Sequence, residues 1–383
     1  MPKDFAFADL YPKDPRAPFA NPTEEPGYAP DYREIVPELD MPQSRLPLLP
    51  NYEETTRIRR YCSLTCLTLL FAFLLTLTVQ TGLTLIISAL LHITDEAAVG
   101  TLPMNYQSII SQYYTDSSLA YAVTLISFFF GNLAAFLVGC KLTQLSPRDC
   151  FRTRDLRVSA TISYILLGLF IQMMCGQIMA WLETLIPSLH MRSSQTEFTA
   201  SGSMHRLAVM VMYTCIVAPV TEELLMRGFV LKNLCRVSQR HGIFLSALLF
   251  GILHENIPQF LFAFPLGILL AYITIRHNSV VPAIAVHVAV NTMQTVLLIL
   301  EQYLPQQYAS KVYIIYTLAV LLLGSIVFVV TIMTERLPAV TPHQSMRGWR
   351  IYIMSPLLWL LVAVHIGFGM YQAGMLELPF LSS

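Results

Sequence analysis

The sequence predicts an all-α, polytopic membrane protein: a bundle of about eight or nine transmembrane helices behind a disordered N-terminal tail. Three observations predict it. Of the 383 residues, 55% are hydrophobic and only 13% charged. The mean hydropathy of +0.56 is too high for a water-soluble domain of this size. The apolar residues also gather in runs of about 20 or more, the length a helix needs to cross a hydrocarbon core of about 30 Å.

The elements follow in order. Residues 1–57 are rich in proline and mixed in charge, without a sustained apolar period. Such a segment buries too little surface to offset its chain entropy and reads as a disordered tail. It begins with polar residues rather than a basic region and a short apolar stretch, so no cleaved signal peptide is expected. Apolar runs then occupy 61–92, 119–140, 158–186, 204–231, 258–275, 280–300, 312–334 and 351–372, with a shorter one at 243–256. Each reads as a helix, because a backbone facing lipid has to satisfy its own hydrogen bonds. The chain therefore divides into the tail (1–57), N-terminal transmembrane helices (58–203), a polar-bearing transmembrane core (204–300) and C-terminal transmembrane helices (301–383).

Charge narrows the partners and sets an orientation. A formal net charge of zero offers no basic stripe for nucleic acid. The seven cysteines form no CxxC pair and read as reduced thiols. Arginine and lysine collect on alternate connections: Arg57, Arg59 and Arg60; Lys141 to Arg157; Lys232, Arg236 and Arg240; Arg276; and Arg336, Arg347 and Arg350. That bias marks the cytoplasmic side, provided 243–256 also crosses. It predicts a cytoplasmic N-terminus and a site opening to the cytoplasm; for a multi-pass protein of this kind the plasma membrane is the default location.

Ionisable groups inside spans are costly and face a partner or a water-filled cavity. Here they cluster. Glu222 stands ten positions before Lys232, about 15 Å from the basic edge. His254, His287 and Asn291 reach a similar depth, about 14–20 Å, from their own helix ends. Glu223 and Arg227 are four apart and predict a buried ion pair that supports the site, leaving Glu222 on another face. His287 and Asn291, also four apart, point at one spot. Pro219 removes a backbone donor and bends the helix near the site. A carboxylate beside an imidazole is a competent general base for water, which fits Glu222 with His254. An imidazole N–H and a carboxamide N–H aimed at one oxyanion fit His287 with Asn291. Glu255, near a helix end, reads as interfacial, and His241 and His277 as solvated loop residues.

At these residues the sequence resembles the CAAX protease and bacteriocin-processing (CPBP, or Abi) family of intramembrane peptidases. The first motif is Glu222-Glu223-Leu224-Leu225-Met226-Arg227, the second Phe250 with His254, and the third His287 with Asn291. The resemblance covers roughly 204–296. It implies an intramembrane endopeptidase acting on a membrane-associated protein or peptide, with Glu222 and His254 activating water and His287 and Asn291 forming the oxyanion hole. Glu223, Arg227 and Phe250 then support the site.

Other chemistries fit less well. An HExxH zinc site beginning at His254-Glu255 requires histidine where Pro258 stands. No GxSxG occurs, and the aspartates Asp95, Asp116, Asp149 and Asp155 fall in loops. Two alternatives stay open. His254, His287 and Glu222 are enough for a three-ligand zinc site, although the preferred reading needs no cofactor. A non-catalytic transporter or an immunity or regulatory scaffold also places polar groups at the midplane, though no internal repeat supports it.

Overall fold

The computed structural model describes residues 52–98, 118–153, 156–185, 204–235, 239–334 and 349–372. The readings for tail residues 1–51, for the connections 99–117 and 186–203, and for Arg154, Arg236, Arg336 and Arg347 lie outside the described residues. Among the described residues the protein is helical, without strands. We number the helices α1 (Tyr52–Ala98), α2 (Ser118–Thr143), α3 (Val158–Leu185), α4 (Met204–Leu234), α5 (Gln239–Ile252), α6 (Ile257–His277), α7 (Val281–Tyr303), α8 (Gln306–Thr334) and α9 (Pro356–Gln372). Seven of them, α1–α4 and α6–α8, are long and apolar enough to cross a membrane, whereas α5 and α9 are shorter. Together they form a polytopic helical bundle. Helix α1 starts at Tyr52, inside the last residues of the expected tail.

The bundle buries two main cores. One gathers α1, α2, α4, α5 and α9 around Leu69, Phe229, Leu234, Leu249 and Tyr352. It lies towards the end that carries Arg59, Arg148, Arg240, Arg276 and Arg350. The other packs α3 and α8 against α6 and α7 through Leu167, Leu270, Ile273, Val286 and Val320. Small residues close the first core: Gly228 and Gly139 let Phe136 and Phe229 seat against the neighbouring backbones.

Helices α5 and α6 form a tight hairpin. Asn256 caps α6 by accepting the Gln259 backbone N–H at 2.8 Å, with Pro258 in the first turn, where no donor is missed. At the far end of α6, Asn278 adopts a left-handed φ of 50° and closes the helix.

Two histidines depart from expectation. His241 lies within α5 and is 3% exposed, its ring 4.9 Å from that of Trp349. His277 ends α6, also buried, with Nε2 3.1 Å from the Tyr164 hydroxyl. The helices run on past the apolar stretches, and aromatic residues distant in sequence cover both rings. Lys232 is likewise buried, its Nζ donating to Cys150 Sγ at 3.4 Å.

Candidate functional site

The site is built on a distortion of α4. Residues Tyr213–Val217 and Leu224–Leu231 wind as π-turns on either side of a short α-helical stretch, Ala218–Glu223. The Ala218 N–H donates five residues back, to Tyr213 O. In that register the next donor, to Thr214 O, is the nitrogen of Pro219, which carries no hydrogen. The orphaned Thr214 carbonyl is taken up from α7: Asn291 Nδ2 donates to it at 3.1 Å. Pro219 therefore does more than bend the helix. It prepares an acceptor that locks Asn291, and the second amide N–H of Asn291 is left for the cavity.

Consecutive glutamates diverge as the helical rotation dictates. Glu223 is fully buried, and its Oε1 accepts from Arg227 Nη1 at 2.8 Å and from His287 Nδ1 at 2.9 Å. Arg227, also fully buried, donates through Nη2 to Gly267 O at 3.2 Å and lies 4.4 Å over the Phe250 ring. Phe250 meets the ring edges of His254, at 4.9 Å, and His287, at 5.9 Å. The supporting group of Glu223, Arg227 and Phe250 thus ties α4, α5, α6 and α7 together around one charge pair. Hydrogen bonds to His287 Nδ1 and Gly267 O offset part of the cost of burying the pair, while Glu223 Oε2 and Arg227 Nε are buried without a partner.

Glu222, by contrast, retains 22% of its side-chain exposure, and its Oε2 lies 4.0 Å from His287 Nε2. His254 lies beyond the end of α5, and its Nδ1 is 2.7 Å from Phe250 O. Because a carbonyl only accepts, Nδ1 carries the hydrogen and Nε2 presents a lone pair. At His287 it is likewise Nδ1 that carries a hydrogen, because it faces the Glu223 carboxylate already paired with arginine. Among the described residues no hydrogen bond or ion pair joins Glu222 to His254.

Glu222, His254, His287 and Asn291 all line one cavity of about 830 Å³. On α1, α2 and α7 the lining runs from the level of Glu222 away from the arginine-bearing end, from Ala72 to Leu85, from Asn132 back to Thr124 and from His287 to Leu298, while on α4 it extends from Met210 to Met226. This differs from the expected opening on the basic side. The core around Leu69, Phe229 and Leu249 fills that side, and depth along each helix carries no information about which half is packed.

Several lining groups were missed in the sequence. Glu255, read as interfacial, lines the cavity and pairs with His365 of α9 at 2.8 Å. Asn132 lines it too and donates to Thr221 Oγ1 at 3.2 Å. The signal was present, since an isolated His or Asn within an apolar span calls for a partner, but the partners lie 89 to 110 positions away.

The zinc set considered for Glu222, His254 and His287 does not assemble in this arrangement. Among the described residues no three His, Cys, Asp or Glu side chains converge to hold a metal ion.

Fold and site define a class: a multi-pass helical membrane protein with a cavity lined by carboxylate, imidazole and carboxamide groups among its helices. Residues 204–293 match the family model described as type II CAAX prenyl endopeptidase Rce1-like. Over that segment the chain resembles the CPBP family, and at the family level the match supports an intramembrane endopeptidase with a membrane-associated peptide substrate. No curated protein and no solved structure matches the chain.

Proposed function

We propose that the protein hydrolyses a peptide bond of a membrane-associated protein or peptide, using Glu222 and His254 to activate water and His287 with Asn291 to hold the oxyanion. The observation that carries this reading is that these four side chains, all from the Rce1-like segment, line one cavity. A water between the Glu222 carboxylate and the unprotonated His254 Nε2 loses its proton to that pair as it attacks the scissile carbonyl. The developing oxyanion then accepts from the second N–H of Asn291 and from His287 Nε2. With Nδ1 already donating to Glu223, His287 donates at Nε2 only as the imidazolium. In that state Glu222 and Glu223 balance Arg227 and His287, and the buried group is neutral overall. The proton held by Glu222 and His254 then passes to the leaving amine. The chain's own groups carry each of these steps.

Charge supports an orientation. The exposed arginines Arg59, Arg148, Arg240, Arg276 and Arg350 lie at one end of the bundle, which the cytoplasmic bias of basic residues assigns to the cytoplasm. The N-terminus is then cytoplasmic, and the cavity reaches towards the opposite face of a membrane we take to be the plasma membrane.

The test uses purified full-length protein in liposomes with a quenched-fluorescence peptide library. Glu222→Gln lowers kcat by about 10²- to 10⁴-fold on the cleaved peptide, with folding retained. His254→Ala and His287→Ala behave alike. Cleavage that survives all three substitutions overturns the reading. A chelator arm, with zinc added back, reads metal dependence separately.

A further inference from the structure

The turn that carries His254 is held from outside the Rce1-like segment. Leu253–Asn256 joins α5 to α6 within the membrane, where irregular backbone persists only if protein or a wet cavity satisfies it. One side of the turn satisfies itself: Asn256 Nδ2 donates to His254 O at 2.8 Å and to Gln259 Oε1 at 2.7 Å. The other side depends on α9.

Glu255 adopts φ 62°, a left-handed conformation uncommon for a residue with a side chain. Such a conformation is kept when its surroundings over-determine it, and one face of α9 does so. His365 Nδ1 donates to Glu255 Oε1 at 2.8 Å, and Gln372 Nε2 donates to Oε2 at 3.4 Å. Gly369 brings the α9 backbone against the Glu255 carbonyl so closely that any Cβ there would collide with it. Positions 365, 369 and 372 follow the spacing of a single helical stripe. Phe73 of α1 packs edge-on against His365, ring centroids 4.7 Å apart, and fixes the imidazole from behind. His365 is 2% exposed and lines the cavity, and its Nε2 is buried without a partner.

The geometry points to Glu255 and His365 as positioning residues for His254: the carboxylate–imidazole pair clamps the hairpin tip to α9 and sets where the neighbouring imidazole stands in the cavity. This rests on the peptidase reading of Glu222 and His254. Neither residue is required to touch substrate. Their effect passes through one peptide unit, from Glu255 to His254, and a misplacement of about 1 Å in a catalytic group is enough to cost about 10²-fold in rate.

The experiment combines kinetics with hydrogen exchange on full-length protein in detergent. His365→Leu removes the donor while keeping an apolar body against Phe73. It is expected to speed amide exchange across residues 253–257 by about tenfold or more and to lower kcat by about 10- to 100-fold, with KM within about twofold. His365→Asn places an amide N–H near the lost Nδ1–H and is expected to recover both. Glu255→Leu should reproduce the His365→Leu effect, whereas Glu255→Gln, which keeps an acceptor, should not; this pair decides the matter if His365→Leu fails to fold. Unchanged exchange at the tip, or equal losses in the leucine and asparagine variants, overturns the clamp. The peptidase reading fails on a different observation, full activity in Glu222→Gln, and the exchange arm still decides the clamp in that case.

Discussion

Helices α4 and α8 are nearly the same length, 31 and 29 residues, yet they solve opposite problems. Helix α8 has a mean hydropathy of 2.6 with 11% of its apolar window buried; α4 has 1.5 with 44% buried. Lipid is the solvent of α8, and Leu318, Leu322 and Ile326 face outward without further support. Helix α4 carries Glu222, Glu223 and Arg227, and only α5, α6 and α7 packed around it make those charges tolerable. The comparison teaches that polarity in this bundle follows protein burial: where a helix holds charge, its neighbours supply the missing solvent.

The largest expected effect breaks that support. Arg227→Ala leaves the fully buried Glu223 without its cation and should destabilise the protein by about 3–5 kcal/mol, read by unfolding in detergent. A loss under about 1 kcal/mol would mean that α4 does not need its neighbours. On α8, Leu322→Arg puts a charge into lipid at mid-span and should cost about 2.5–3.5 kcal/mol on an insertion assay, whereas Leu322→Ala should stay within about 0.5 kcal/mol. Similar costs for Arg and Ala would show α8 to be covered. Asn291→Ala strips Thr214 O of its donor and should cost about 1–3 kcal/mol beside its effect on kcat. Its mirror, restoring a donor on α4 with Pro219→Ala, should soften that loss.

The smallest effect lies outside the spans. Burial pushes the Cys150 thiol above its ordinary value of 9.0, with Lys232 acting in the opposite direction. The unfolded thiol ionises first as pH rises above 9.0, so this part of the stability is present at neutral pH and lost in alkali. Denaturant unfolding at pH 8 and pH 10 should show a shallower decline in Cys150→Ser than in the wild-type protein.

Much of this was legible in the chain. The spans, their order and the matched depth of Glu222, His254, His287 and Asn291 follow from run length and helical rise. The pairing of Glu223 with Arg227 follows from a spacing of four. These are local or periodic properties, and the sequence by itself determines them, because hydropathy and helix geometry act residue by residue. What only the tertiary structure decided involves partners far apart in sequence. Asn291 answers the Thr214 carbonyl, 77 positions earlier, that Pro219 orphans; Glu255 faces His365 across 110 positions, and His241 and His277 are covered by aromatic rings from other helices. The side on which the cavity lies was also decided there, since depth along a helix is set by counting residues, whereas which half of a bundle is filled depends on how side chains from five helices pack together.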